Sequence, residues 1–191
     1  VVGVEYEATI AAEAAARLDA VYTGDIETLE LPYPAGHFDA ALCLDVLEHL
    51  RDPWGVLRDR LWPLLAPGGT LIVSVPNVRY WMVLWRLLGG RWDYARRGIL
   101  DSGHLRFFTP RSLRRMIADC GFQVISLHRK YRCYDSLGDR PSGRIVGGLT
   151  RRLTDALTRL RLFDLCYPLR DFFTYQIIVV ARKPEAPDRP S

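Results

Sequence analysis

Asp45, Glu48 and His49 stand at spacing i, i+3, i+4, which on a helical turn would put all three side chains on one face. A second histidine, His104, lies in the run Gly103-His104-Leu105-Arg106-Phe107-Phe108-Thr109. Two chemistries fit these residue types. Imidazole titrates near neutral pH, so His49 or His104 could act as general base for an acceptor hydroxyl, with His104 ahead if the turn ties up His49. Alternatively, the acids and histidines could hold a divalent ion that lowers the hydroxyl's pKa. A third reading makes His49 a satisfied core group. We take the direct-base reading and assign no metal. Glu5 and Asp25 each follow a short apolar run, where a carboxylate can accept hydroxyl or amino donors.

The elements that must position these residues alternate between strand and helix. The apolar run Val1 to Glu5 predicts a buried parallel strand, and residues 8–18 an Ala-rich helix with Ile10, Ala14 and Leu18 on one side. Strands are expected over Ala20 to Thr23, Phe38 to Leu44, Thr70 to Val75, Phe122 to Leu127 and Phe173 to Ala181. Asp52-Pro53 and Thr109-Pro110 each place a capping side chain before a proline at the first helical position. Leu113, Met116, Ile117 and Cys120 should face inward, and Gly121 should end that helix. Pro67-Gly68-Gly69 marks a stop after the helix begun at Asp52.

This alternation predicts an α/β protein: a Rossmann-like, mostly parallel sheet with helices on both faces. Ligands of such sheets sit at the carboxyl ends of the strands. Glu5, Asp25, Leu44-Asp45 and Pro76-Asn77 occupy those ends. Three of the four carry acids, which favours a ligand with hydroxyls or positive charge over a phosphate-rich one.

Two segments interrupt the rhythm, 78–100 and 131–170, and are expected to be helical caps or insertions within a single domain, 1–191. In the first, Trp81, Leu84, Trp85 and Leu88 trace one helix face, so core or lid packing is expected. In the second, an amphipathic helix is expected over 145–163. Residues 184–191 read as a disordered tail.

Charge is segregated. Residues 1–78 hold 12 acids and 4 bases and residues 79–191 hold 10 acids and 22 bases, within a formal net charge of +4. The basic half could attract anions. Arg86, Arg91, Arg96 and Arg97 beside the aromatic segment leave shallow contact with an anionic membrane open. No stretch of 18 apolar residues and no basic leader occur, and the four cysteines form no C-x-x-C pair. The expectation is a cytoplasmic protein with reduced thiols.

In their order and spacing, Gly3-Val4-Glu5, Gly24-Asp25, the run from Phe38 to His49 and Leu65-Ala66-Pro67-Gly68-Gly69-Thr70-Leu71 resemble the class I S-adenosylmethionine-dependent methyltransferases, and the His104 motif resembles a later motif of small-molecule members. The resemblance implies that Glu5 accepts both ribose hydroxyls of S-adenosylmethionine. It places Asp25 near the adenine amino group with Ile26 packed on the ring, and Leu44 and Asp45 beside the methyl donor. Some metal-using relatives carry a similar acid-x-x-Glu-His run, matched here by Asp45, Glu48, His49 and His104, while others with Glu-His use no reported metal. The family's first strand and G-x-G-x-G loop have no counterpart in these residues. The expectation is an N-terminally truncated chain that on its own binds the cofactor weakly.

The function expected is methyl transfer to a small-molecule acceptor, an oxygen of a phenolic, lipid or sugar-type substrate. The principal rival is a catalytically inactive, methyltransferase-like scaffold that binds a partner through its basic half. A nicotinamide-dependent Rossmann enzyme would also want a ribose-binding acid, but nothing supplies hydride chemistry. Nucleic-acid methylation is disfavoured by the lack of an Asn-Pro-Pro-Tyr-type motif.

Overall fold

The computed structural model describes residues 1–132 and 170–185, together with 152, 156, 157, 159 and 160. β1 (Val2–Glu5), α1 (Ala8–Ala15) and β2 (Ala20–Thr23) form a parallel βαβ unit in register Val2↔Ala20 to Glu5↔Thr23. Its strands are half-buried rather than buried, and Ile10 of α1 is 48% exposed. Only Ala11 of that helix is fully covered, because two strands offer it little surface.

The larger sheet has the order β3–β4–β6–β5. β3 (Phe38–Leu44) is parallel to β4 (Leu65–Pro76), and β6 (Thr174–Arg182) runs antiparallel between β4 and β5 (Gln123–Tyr131). The Rossmann-like α/β class therefore holds, while the sheet is mixed, with both neighbours of β6 antiparallel to it. β4 also begins earlier than Pro67-Gly68-Gly69 implied. These residues form an irregularity inside the strand, between the pairs Phe38↔Leu65 and Ala40↔Thr70. Gly68 has φ 74°, and a Cβ at Gly69 would meet the Ala66 carbonyl at 2.8 Å, so neither position suits a larger residue.

Between β3 and β4 the chain passes through a 3₁₀ turn (Leu47–His49), α2 (Pro53–Gly55), a π-helical stretch (Val56–Leu61) and α3 (Trp62–Leu64). Asp52 caps this run by accepting from Gly55 N at 3.0 Å, and Pro63 brings it to an end. α4 (Trp81–Leu88) and α5 (Pro110–Asp119) follow, and α6 (Arg170–Phe173) leads into β6. Thr109 and Ser112 form a reciprocal capping box on α5. Leu113, Met116, Ile117 and Cys120 are buried as their spacing requires, joining Val56, Leu57, Leu71, Val73, Val75, Ile177 and Val179 in one core. At about 1.5–3 kcal/mol per buried aliphatic side chain, this core is the main stabilising contribution.

A second, smaller core contains Tyr80, Val83, Ile99 and Leu100. It corrects the reading of residues 78–100. Val83 is the buried residue of α4, while Trp85 and Leu88 are 72% and 83% exposed. Of the expected Trp81/Leu84/Trp85/Leu88 face, Trp81 packs against this core while Trp85 and Leu88 do not. The amphipathic helix at 145–163 and the tail at 184–191 fall largely outside the described residues.

Candidate active site

Asp45 ends β3 in the left-handed region, at φ 55°, the only non-glycine with positive φ among the described residues. Such a conformation costs an L-residue about 1–2 kcal/mol, and Asp tolerates it better than most. Three partners hold it. Its amide donates to Ser74 O at 3.0 Å, Ser74 Oγ donates to Oδ1 at 3.1 Å, and Gln176 Nε2 donates to Oδ1 and Oδ2 at 2.7 and 3.0 Å. Neither Ser74 nor Gln176 was singled out from the sequence.

Left-handed Asp45 and the 3₁₀ turn after it set Asp45 apart from Glu48 and His49, which an α-turn would have aligned with it. The carboxylate of Asp45 lies along the sheet edge on Ser74 and Gln176, Glu48 is 1% exposed, and His49 faces solvent. The structure brings a different set together: one ligand atom each from Glu48, His49 and His104 lies within 4.8 Å of the others, and Asp45 is not in the group.

His104 reaches this cluster because its loop docks on the turn. Leu105 N and Arg106 N both donate to Glu48 O, at 2.7 and 3.0 Å, and the Arg106 guanidinium donates to Arg51 O. A Cβ on Gly103 would stand 3.3 Å from the His49 ring, so the close approach uses the missing side chain. The two imidazoles meet edge to face with centroids 4.7 Å apart. His49 Nδ1 lies 3.0 Å from Gly103 O and His104 Nδ1 lies 2.9 Å from Ile99 O. A carbonyl oxygen only accepts, so each Nδ1 carries the proton, and a neutral ring keeps its lone pair on Nε2.

Glu48 is the outlier. Neither carboxylate oxygen has a hydrogen-bond partner. Burial pushes its pKa up to about 8 against a lesser downward pull from Glu48's own amide, and the charge on Asp45 adds the smallest share to the rise. Two imidazole lone pairs and an orphan carboxyl make a set of acceptors that a proton or a cation could bridge. His104 is 9% exposed, so His49 is the more accessible base.

The smaller sheet carries the other expected residues. Glu5 ends β1 half-buried, with Oε1 accepting from Glu7 N at 2.9 Å. Asp25 Oδ1 accepts from Glu27 N at 2.9 Å, and its carbonyl accepts from Thr28 and Leu29. Ile26 packs against the main core, whereas Leu44 is 53% exposed at the end of β3. Glu27, which no sequence signal marked, straps this region to the next. Its carboxylate accepts from Asp52 N at 2.7 Å and Arg51 N at 3.2 Å.

A family model described as a methyltransferase domain matches residues 3–127, well over half of the chain. The chain belongs to the methyltransferase-domain family. Among proteins similar to this methyltransferase, a ubiquinone biosynthesis O-methyltransferase of Psychrobacter arcticus is 37% identical over 100 residues, covering 49% of this chain and 37% of that protein. One of the same name from Xanthomonas campestris is 44% identical over 52 residues, or 27% of this chain and 21% of its own. The matched stretch thus spans between about a fifth and little more than a third of these relatives.

Solved structures extend the likeness to the whole fold. A SAM-dependent methyltransferase from Archaeoglobus fulgidus superposes with TM-score 0.61 over 95% of this chain and 75% of that one, at 15% identity. A possible histamine N-methyltransferase from Thermotoga maritima gives 0.59 over 95% and 72%, at 17% identity. At such identities the likeness concerns the fold, which is that of the class I methyltransferases. A [4+2]-cyclase, SpnF, shares it at TM-score 0.53 and 19% identity, so the reaction must be argued from the site.

Proposed function

We propose that this methyltransferase domain transfers a methyl group from S-adenosylmethionine to an oxygen of a small-molecule acceptor of phenolic, lipid or sugar type. The observation that carries the reading is the His49–His104 pair with Glu48 behind it, at the edge of the sheet where β3 ends in strained Asp45. The donor set suits the nucleoside end of the cofactor: two carboxylates, Glu5 and Asp25, after successive strands, with the apolar Ile26 next to Asp25 and Leu44 at the end of β3. When bound, the cofactor supplies an electrophilic methyl on a sulfonium. In this reading Glu5 accepts ribose hydroxyls, Asp25 the adenine amino group, and Leu44 and Asp45 border the methyl donor.

His49 then takes the acceptor's proton on Nε2 as the oxygen attacks. Accessibility puts it ahead of His104, which stands behind it and fixes its ring. Asp45, held by Ser74 and Gln176, gives the site a fixed wall, so that orientation adds to base catalysis. The ubiquinone-biosynthesis names of the relatives favour oxygen as the methylated atom.

The test is a transfer assay with methyl-labelled cofactor against phenolic, lipid and sugar acceptors, reading the labelled product by mass spectrometry. Label on an oxygen supports the reading. Label only on nitrogen or carbon, or none with the cofactor demonstrably bound, refutes it.

A further inference from the structure

The apolar side chains of α4 divide along its length. Those of its first half are accounted for: Val83 is buried with Tyr80, Ile99 and Leu100, and Trp81 and Met82 pack beside them. Those of its last turn are not. Trp85, Leu87 and Leu88 are 72%, 51% and 83% exposed, and the chain that follows adds Trp92 and Tyr94, 36% and 57% exposed. Four large hydrophobic groups and a tyrosine in ten residues are far more than the scattered apolar residues of an ordinary surface.

Charge accompanies them. Arg86, Arg91, Arg96 and Arg97 are all exposed and Asp93 is the one acid between Trp85 and Gly98, giving four bases against one acid. Asp93 pairs with Arg91 at 3.3 Å and leaves the other three arginines in excess. The surface is also held in shape. Ala95 N donates to Leu100 O and Ser102 N to Ala95 O, both at 2.8 Å, and the Trp92 ring meets Phe107 with centroids 5.4 Å apart.

Tryptophan and tyrosine beside arginine form the composition of a membrane–water interface, where flat amphipathic rings sit at headgroup level and guanidinium groups meet lipid phosphates. A partner protein would meet the apolar groups equally well, but the cationic excess selects an anionic surface. No helix among the described residues is long and apolar enough to cross a membrane, so the element would lie on a bilayer rather than span it. We propose that the surface formed by the second half of α4 and residues 89–98 docks on the face of an anionic lipid bilayer. The inference stands apart from the methyl-transfer reading, since it uses none of the residues assigned to that site.

Co-sedimentation of the protein with vesicles tests it, using pure phosphatidylcholine and phosphatidylcholine containing about 30% phosphatidylglycerol. The expected result is partitioning onto the anionic vesicles only, weakening as salt rises. Each arginine near such a surface is worth roughly fivefold in partitioning, so Arg96→Gln/Arg97→Gln should weaken binding about 25-fold. Trp85→Ser/Leu88→Ser should lower it at least tenfold and remove a blue shift in tryptophan emission. Both pairs are exposed, so the melting temperature should not move, and an unchanged melt separates lost docking from lost fold. Equal binding to both vesicle types, or wild-type binding by both variants, overturns the proposal. So does a concentration-dependent dimer abolished by Trp85→Ser/Leu88→Ser in the absence of vesicle binding, which would make this a face between copies.

Discussion

Gln176 Nε2 bridges both carboxylate oxygens of Asp45, at 2.7 and 3.0 Å, across 131 residues of sequence. The amide of one antiparallel strand thereby fixes the residue that follows another strand two places away in the sheet.

Removing that amide should be costly. Hydrogen bonds to a charged group contribute about 1.5–3 kcal/mol, so Gln176→Ala should lower unfolding free energy by roughly that amount in a urea titration. Gln176→Glu should be worse, since it sets a second carboxylate against Asp45. At position 45 itself, Asn should be tolerated better than Val, because a β-branched residue is strained at φ 55°. Equal stability of Asp45→Asn and Asp45→Val would show that the strain argument is wrong.

Glu48 sets a pH dependence. Its carboxyl goes from an ordinary 4.5 to about 8 in the folded protein, so the folded state binds the proton more tightly than the unfolded. The resulting contribution is complete below pH 4.5 and fades as pH rises toward 8. Near pH 7 the cost of holding this buried acid is roughly 3 kcal/mol. Glu48→Gln is neutral at every pH, so its melting temperature should gain on wild type as pH rises from about 5 to 8. Parallel curves over that range would mean that Glu48 is ionised and paired after all.

The histidines divide a direct-base mechanism from a metal-assisted one. We expect His49→Asn to cut turnover by about 10²–10⁴-fold and His104→Asn to cut it less, with chelator leaving the wild-type rate unchanged. Loss of activity in chelator, restored by a divalent ion, would instead make Glu48, His49 and His104 ligands. Wild-type rates in both variants would leave proximity and orientation to account for the transfer.

Glu5 should matter to the cofactor and not to the acceptor. With the family's first strand and G-x-G-x-G loop restored ahead of β1, calorimetric titration of S-adenosylmethionine is expected to show Glu5→Ala weakened roughly 10- to 150-fold and Glu5→Asp less, by the worth of a charged hydrogen bond. An unchanged dissociation constant in Glu5→Ala would remove the assignment.

Much of this frame was legible before any coordinates. β2 and β3 fall on the residues that their apolar runs marked, and the Asp52 and Thr109 caps work because a cap is decided within four residues of chain. What the chain did not disclose depends on distant partners. The burial of Glu48 comes with the docking of the 103–106 loop, which its neighbours in sequence do not announce, and Gln176 reads as one polar residue in a strand until β6 is known to lie beside β4. The helix-period reading of Asp45, Glu48 and His49 failed because Asp45 takes a left-handed turn that no local pattern announced. In α4, periodicity found an apolar stripe but could not say that the small core would take its first half and leave its last turn exposed.

The place of β6 also governs how the molecule is made. β4 and β5 both pair with it and not with each other, so the four-stranded sheet stays in separate pieces until the ribosome has delivered residues 174–182. Emerging vectorially, β3 and β4 can zip together early, but β5 has no partner in that sheet and the edge of β4 stays bare. The same arrival brings Gln176 to Asp45. Assembly of this wall of the site therefore waits for β6, and a nascent chain stalled before Thr174 should be a client for chaperones rather than a slow enzyme.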